Sequence, residues 1–436
     1  MILNLNWIAY MTTEVNSQRS RFLIIFALVF AAEANFSLSF HVPRFFRPTV
    51  LEVFQFTNTQ LGDAFAVYGV VAMVSYFFGG VIADRYSARA LMSISLLATA
   101  AGGLAMARIP SATGMALLYG YWGATTILLF WAAMIRATKE LGGEQSQGQA
   151  FGILDGGRGL MAAGSASIAV LLLTWLLPTD VALTTDAQRI LGLKTVIYFY
   201  SSITFLAGLL IWFIIPNSEP TDSLTVKPNF SQSFSGVFEV FHRPQVWAQA
   251  GIIVCAYCAY KGLDNYALYA VEVLGFDELE AARLTSNAAY LRIVGAIAAG
   301  FIADRFSAGK IILLSFLLLL ISYSVLASAL PEESSLVLIY GNLLVTFLFA
   351  YGLRGIYFAL LEESKTPKHL TGTTVGLVSV LGFTPDIFFY PIAGRILDSA
   401  PGVVGHQNYF MALAALMLVG LLMTLGLLVL NRKTYA

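Results

Sequence analysis

The chain has 436 residues, 58% hydrophobic and 11% charged, with 25 basic and 25 acidic side chains. A soluble domain carries about 45–50% apolar and about 25% charged residues, so the composition excludes a water-soluble globular protein and marks an integral membrane protein. The zero formal net charge offers no basic face to nucleic acid, and two cysteines cannot build a disulfide framework.

Residues 1–20 are mixed and polar; Arg21 then opens an apolar run over 22–40 without a small-residue cleavage site, which reads as a retained first helix. Runs over 60–82, 90–107, 113–135, 150–172 and 193–215 bring the count to six, with Pro, Gly and charged residues between them. A polar stretch over 216–243 follows, holding Glu219, Asp222, Lys227 and the serines from Ser231 to Ser235. It reads as a cytoplasmic linker, 216–244, between units spanning 1–215 and 245–436. Six more runs lie at 245–271, 281–303, 310–330, 335–358, 371–397 and 409–430. Most are close to the length of about 20 residues that a spanning helix needs. They are too long and continuous for barrel strands of about 9–11 residues. The expected fold is all-α, with twelve transmembrane helices, called helices 1 to 12 in chain order.

Orientation follows from the bias of Lys and Arg toward cytoplasmic loops. With the N-terminus inside, fourteen fall on the inner side, from Arg19 and Arg21 to Arg432 and Lys433. Seven fall on the outer side or at helix ends: Arg44, Arg47, Arg108, Arg189, Lys194, Arg283 and Arg395. Both termini are therefore expected in the cytoplasm and the protein in the cell (inner) membrane.

Gly80, Asp84, Arg85 and Arg89 close helix 2, and Gly300, Asp304, Arg305 and Lys310 close helix 8 in a nearly identical segment 220 residues later. One pattern at the same place in each half means a duplicated unit, and parallel repeats of this kind build transporters. The paired segments resemble the G-x-x-x-D-R-x-x-x-R/K loop between helices 2 and 3 of the major facilitator superfamily, and the resemblance covers the whole six-plus-six layout. It implies two pseudo-symmetric bundles that rock about a midplane site. Helices 1, 4, 7 and 10 would surround the cavity, and helices 2, 5, 8 and 11 would lie between the halves. It also implies that the motif aspartates hold the halves together on the cytoplasmic side. A carboxylate at a helix end pairs with nearby cations and faces positive helix N-termini; Asp84 is expected on Arg136, and Asp304 on Arg354. Gly79, Gly80 and Gly300 would permit close helix approach there.

Ionisable side chains in mid-bilayer are functional candidates by default. Glu33 lies about 12 residues into helix 1, near the midplane at about 1.5 Å per residue, with no cation near it in sequence. An unpaired buried carboxylate prefers its neutral form, so a proton could come and go there; the alternative is a carboxylate held permanently by an arginine of another helix. Asp155 and Arg158 on helix 5 are three apart and share a face, as do Lys261 and Asp264 on helix 7. Each pair can neutralise itself or fix helix register. Arg292 on helix 8 has no acidic neighbour, and Asp386 stands beside Pro385 in helix 11, so these two could meet across the halves. Lys261 with Arg158 or Arg292 would give the cavity positive charge from both halves, which suits an anion.

Tyr257, Tyr260 and Trp122, with Tyr68, Tyr119, Trp131, Tyr266 and Tyr290, are further candidates for solute contact, or plain packing. His41, His242, His369 and His406 fall at helix ends or loops, which leaves proton relay to carboxylates. Cys255 and Cys258 read as core residues. The chain has no phosphate loop, so a gradient rather than ATP is the expected energy source, and no metal or nucleophile constellation suggests an enzyme or a cofactor.

The segment from His41 to Pro48, with Thr59 to Gly62, is weakly similar to the organophosphate and organic-anion branch. That branch carries pore arginines on helices 1 and 7, where this chain has Glu33 and Lys261. Helix 5 lacks the Gly-Pro motif of drug antiporters, and Arg292 matches only one feature of nitrate carriers. The expected function is a proton-linked secondary transporter, a monomer in the lipid bilayer, that imports a small polar anionic solute by alternating access. The alternatives are an exporter of a metabolite or drug, and a transporter-like receptor.

Overall fold

The computed structural model describes residues 21–142, 147–178, 180–217, 239–328, 336–360 and 371–433. Among them, eleven helices and one bent pair are long and apolar enough to cross a membrane, giving twelve spans. In chain order these are α1 (Arg21–Ala34 with Ser37–Phe45), α2 (Asn58–Arg85), α3 (Ala88–Met106), α4 (Ala112–Leu141), α5 (Ile153–Leu176) and α6 (Asp186–Ile214). The second set is α7 (Pro244–Glu272), α8 (Glu278–Ala303), α9 (Ala308–Ser328), α10 (Val337–Ala359), α11 (Gly376–Ser399) and α12 (Val403–Asn431). The fold is the expected all-α membrane architecture of two six-helix bundles. Most of the 216–244 linker, and Lys365 and His369, lie outside the described residues.

Local sequence sets the helix starts. Thr57 with Gln60, Thr185 with Gln188 and Asp277 with Glu280 form capping boxes on α2, α6 and α8. Ser87 and Ser111 cap α3 and α4 through their hydroxyls. Each such cap satisfies backbone N–H groups that the first helical turn leaves free, for about 1 kcal/mol.

The first helix differs from its apolar run. It does not end near residue 40: a 42° bend separates Arg21–Ala34 from Ser37–Phe45, the turn Ser37–His41 is π-helical, and a further helix runs over Arg47–Phe54. Arg44 and Arg47, expected at the outer surface, are therefore buried, at 6% and 2% exposure. Arg47 donates to Asn58 Oδ1 at 3.0 Å, tying the short helix to the start of α2.

The two motif segments mark one end of the molecule, the motif end; the opposite end is the far end. The halves are bonded across their seam toward the far end. Asp398 at the close of α11 accepts from the backbone N–H of Asn58 at 3.1 Å and of Thr59 at 2.7 Å, a carboxylate from one half on the positive N-terminus of α2 in the other. Arg395 pairs with Asp63 at 2.8 Å, and Glu278 accepts from Thr49 at 2.5 Å and pairs with Arg189 at 2.8 Å. Small residues let α2 and α11 meet backbone to backbone: a methyl at Gly62 would strike the carbonyl of Tyr390, and one at Gly69 that of Asp386.

Candidate functional site

Between the halves, near mid-membrane, lies a cavity of about 90 Å³. It adjoins a mostly apolar vestibule of about 410 Å³, lined by Met73, Ile135, Phe358 and Gly376 among others, on the motif side. Helix irregularities surround it. The π-turn of α1 places Phe40 and His41, a second π segment over Ala124–Trp131 in α4 places Ile127 and Trp131, and α7 breaks into a 3-10 turn at Leu263–Asn265 just past Tyr260 and Lys261. Helix α11 is interrupted before Pro385, which sets Phe383 and Asp386 on the wall. Non-α turns of this kind recur at functional sites because they re-aim side chains without ending the span.

The charged groups pair across long sequence distances. Glu33 receives Arg158 Nε at 2.8 Å, Arg292 Nη1 at 3.3 Å and His41 Nε2 at 3.1 Å. Arg292 also reaches Asp155 at 3.5 Å, whereas Arg158 is 3.9 Å from it. Lys261 pairs with Asp386 at 2.8 Å, and the Tyr257 hydroxyl donates to the same carboxylate at 3.1 Å. Asp264 is bound by Arg44 and by the Tyr390 hydroxyl at 2.6 Å, while Arg44 Nη1 donates to the Tyr260 hydroxyl at 3.1 Å.

Four carboxylates thus hold four cations. The fifth cation is Arg354, on the cavity wall with its guanidinium 4.0 Å from the centre of the Tyr260 ring and 5.9 Å from that of Tyr257. Its Nη1 is buried without an acceptor, and no carboxylate stands within ion-pair distance among the described residues.

Several expectations are corrected. Lys261 and Asp264 do not neutralise each other; each bonds elsewhere. Glu33 is not a lone carboxylate, because two guanidinium groups and His41 surround it. Asp386 and Arg292 do not meet: Asp386 takes Lys261 of its own half, and Arg292 crosses the seam to Glu33 and Asp155. Arg354 stands on the cavity wall, and the side chain of Asp304, its expected partner, is outside the described residues. Arg136 donates to the carbonyls of Ala83 and Tyr86 at the end of α2 and pairs with Glu140 at 3.4 Å, not with Asp84, which is exposed. Arg89 lies over the Trp212 ring at 5.0 Å, and Arg85, Arg305 and Lys310 are exposed. Gly79 does face close backbone, since a methyl there would lie 3.1 Å from the Leu128 carbonyl, but Gly80 and Gly300 face open space.

Among the aromatics, Tyr68, Trp131, Tyr257 and Tyr260 line the cavity. Trp122 is fully buried away from it, donating to the Thr99 carbonyl at 3.1 Å; Tyr119 donates to Ser39, and Tyr290 meets Ser167 on the seam. Cys255 and Cys258 are buried free thiols. Sequence reasoning missed Arg44, His41, Phe36, Phe40, Tyr76 and Phe383. The available signal for the first two was that apolar residues continue through 42–54 around the charged positions.

Twelve spans in two bundles around a charged midplane cavity define a membrane transporter. Residues 21–389 match the Major Facilitator Superfamily, and the chain belongs to it. It is a multi-pass integral membrane protein and a transporter of the permease kind. It is similar to inner membrane protein YqcE of Escherichia coli (strain K12), 28% identical over 411 residues, 93% of this chain and 94% of that protein. Inner membrane protein YihN of the same organism is 28% identical over 372 residues, 82% of this chain and 84% of that one. Among solved structures, the nucleoside transporter NupG superposes with a TM-score of 0.69 at 13% identity, covering 93% of this chain and 99% of that one, a likeness of fold.

Proposed function

We propose that the protein is a secondary transporter that moves a small organic monoanion through the central cavity by alternating access, coupled to protons. The observation that carries this reading is the cation surplus: every cavity carboxylate is matched and Arg354 is left with a buried, unpartnered N–H group. A buried donor without an acceptor is costly, and an anion arriving on Arg354 removes that cost while bringing the site to neutrality. Arg158, Arg292, Lys261 and Arg44 hold the wall in register through their pairs, and Tyr257 and Tyr260 shape the pocket.

Proton coupling moves from Glu33 alone to the His41–Glu33 bond, since histidine changes charge near neutral pH and this one touches the carboxylate that Arg158 and Arg292 both hold. The described seam is bonded toward the far end and the vestibule lies on the motif side. With Lys and Arg placing the motif end in the cytoplasm, this is an inward-facing state. The Asp84 and Asp304 segments then act as the inner gate in the opposite state. The halves are 1–215 and 245–436, joined by 216–244, in a monomer.

The test is uptake of candidate anions into proteoliposomes under an imposed pH gradient. Arg354→Gln is expected to abolish uptake while Arg108→Gln, exposed after α3 and outside the cavity and the motif segments, leaves it intact. Equal uptake by both variants overturns the reading.

A further inference from the structure

Resting on the anion reading above, the cavity's composition narrows the class of solute. We infer that the transported anion is a monocarboxylate carried on a flat aromatic body, its carboxylate on Arg354 and its ring against the aromatic wall. Three features of the site carry this.

First, among the described residues the charge count admits one negative charge. Glu33, Asp155, Asp264 and Asp386 already occupy Arg158, Arg292, Arg44 and Lys261. A dianion would leave one charge unmatched in a buried site.

Second, among the described residues the cavity wall contains no Asn, Gln, Ser or Thr side chain. Three of its four phenol hydroxyls are engaged, Tyr68 with Thr126 at 2.9 Å, Tyr257 with Asp386 and Tyr260 with Arg44 at 3.1 Å. The hydroxyls of a polyol would exchange water for a wall whose polar atoms largely bond one another, which leaves them unpaired.

Third, the remaining wall is rings. Phe36, Phe40, Tyr68, Tyr76, Trp131 and Phe383 enclose the space, and Tyr76, Trp131 and Phe383 continue into the vestibule. Aromatic faces and edges prefer ring partners. The wall already pairs its own rings, Phe40 with Tyr68 at 4.9 Å and Tyr257 with Phe383 at 5.1 Å between centres, and its ring faces take cations as well, with Arg354 over Tyr260 and Lys261 4.1 Å from the centre of the Phe40 ring.

The test is ligand-induced stabilisation of the purified full-length protein, which rises as a ligand binds the native state, with three probes: benzoate, gluconate and benzyl alcohol. Benzoate is expected to bind at least tenfold tighter than gluconate, and benzyl alcohol not to bind. Arg354→Gln should weaken benzoate at least tenfold, and Arg354→Lys, which keeps the charge, should retain part of the affinity and shows whether the position tolerates change. Gluconate binding as tightly as benzoate, in an Arg354-dependent way, overturns the aromatic body and leaves the anion reading standing. Benzyl alcohol binding as well as benzoate, indifferent to Arg354, overturns the anion reading itself. No binding of benzoate at millimolar concentration overturns the inference.

Discussion

The bond between Arg44 and Asp264 joins α1 of one half to α7 of the other on the far side of the cavity, with the two residues 6% and 1% exposed. Asp264→Ala removes the carboxylate and also the acceptor of the Tyr390 hydroxyl. Breaking one partner of a buried pair costs about 3–5 kcal/mol, because the surviving charge is left uncompensated. That cost falls on the state in which the far side is closed; once the halves part there, water reaches Arg44. Each 1.4 kcal/mol is about tenfold in an equilibrium, so the lower bound shifts the population toward the far-open state by about 100-fold. The assay places a cysteine at Thr59, whose N–H meets Asp398 across the seam at 2.7 Å, and follows its labelling by a membrane-impermeant maleimide. The two native thiols are buried and give little background. Labelling should accelerate at least tenfold in Asp264→Ala. The pair of changes Arg44→Met and Asp264→Leu should restore slow labelling, since apolar replacement of a buried ion pair is often neutral. An unchanged rate in Asp264→Ala, or fast labelling in the double variant, refutes the latch.

The same labelling assay reads a second far-side contact. Arg189 bridges Glu52 at 2.6 Å and Glu278 at 2.8 Å, and burial, with Glu278 adding to it, holds the Glu52 carboxyl above its ordinary range despite Arg189. A group raised in the closed state favours closure at low pH, and that contribution fades as pH climbs through the raised value. Labelling should therefore slow on acidification, and Glu52→Gln should flatten the profile. Gly69→Val should drive α2 off the Asp386 carbonyl and lower the melting temperature by several degrees, while Gly80→Val, facing open space, should leave it unchanged. His41→Gln should leave exchange of solute across the membrane intact but remove accumulation driven by a pH gradient, whereas Glu33→Gln should also slow exchange, because it strips Arg158 and Arg292 of their shared partner. Equal accumulation in His41→Gln and the unaltered protein removes His41 from coupling.

The spans were legible because hydropathy is a local quantity: a run of apolar residues crosses lipid wherever its partners lie. The pairing of charges was not, because it is decided by which helices touch. Spacing alone joined Lys261 to Asp264, yet three residues on one helix face is a weaker constraint than a carboxylate delivered by another helix at 2.8 Å. The helix irregularities divide in the same way. Pro385 announces the break in α11, since proline withholds an N–H, but the π-turn at Ser37–His41 has no such marker. That one unmarked turn hid the main feature of the site. With helix 1 ended at residue 40, the cavity candidates are four acids against three cations, Arg158, Lys261 and Arg292, with Arg354 set at the motif end on Asp304. Carrying the helix through Arg44 gives Asp264 its own cation and frees Lys261 for Asp386. Arg354, on the cavity wall, then has no carboxylate left to neutralise it among the described residues. On the proposed reading, the charge that selects the solute is thus a property of how far the first helix runs.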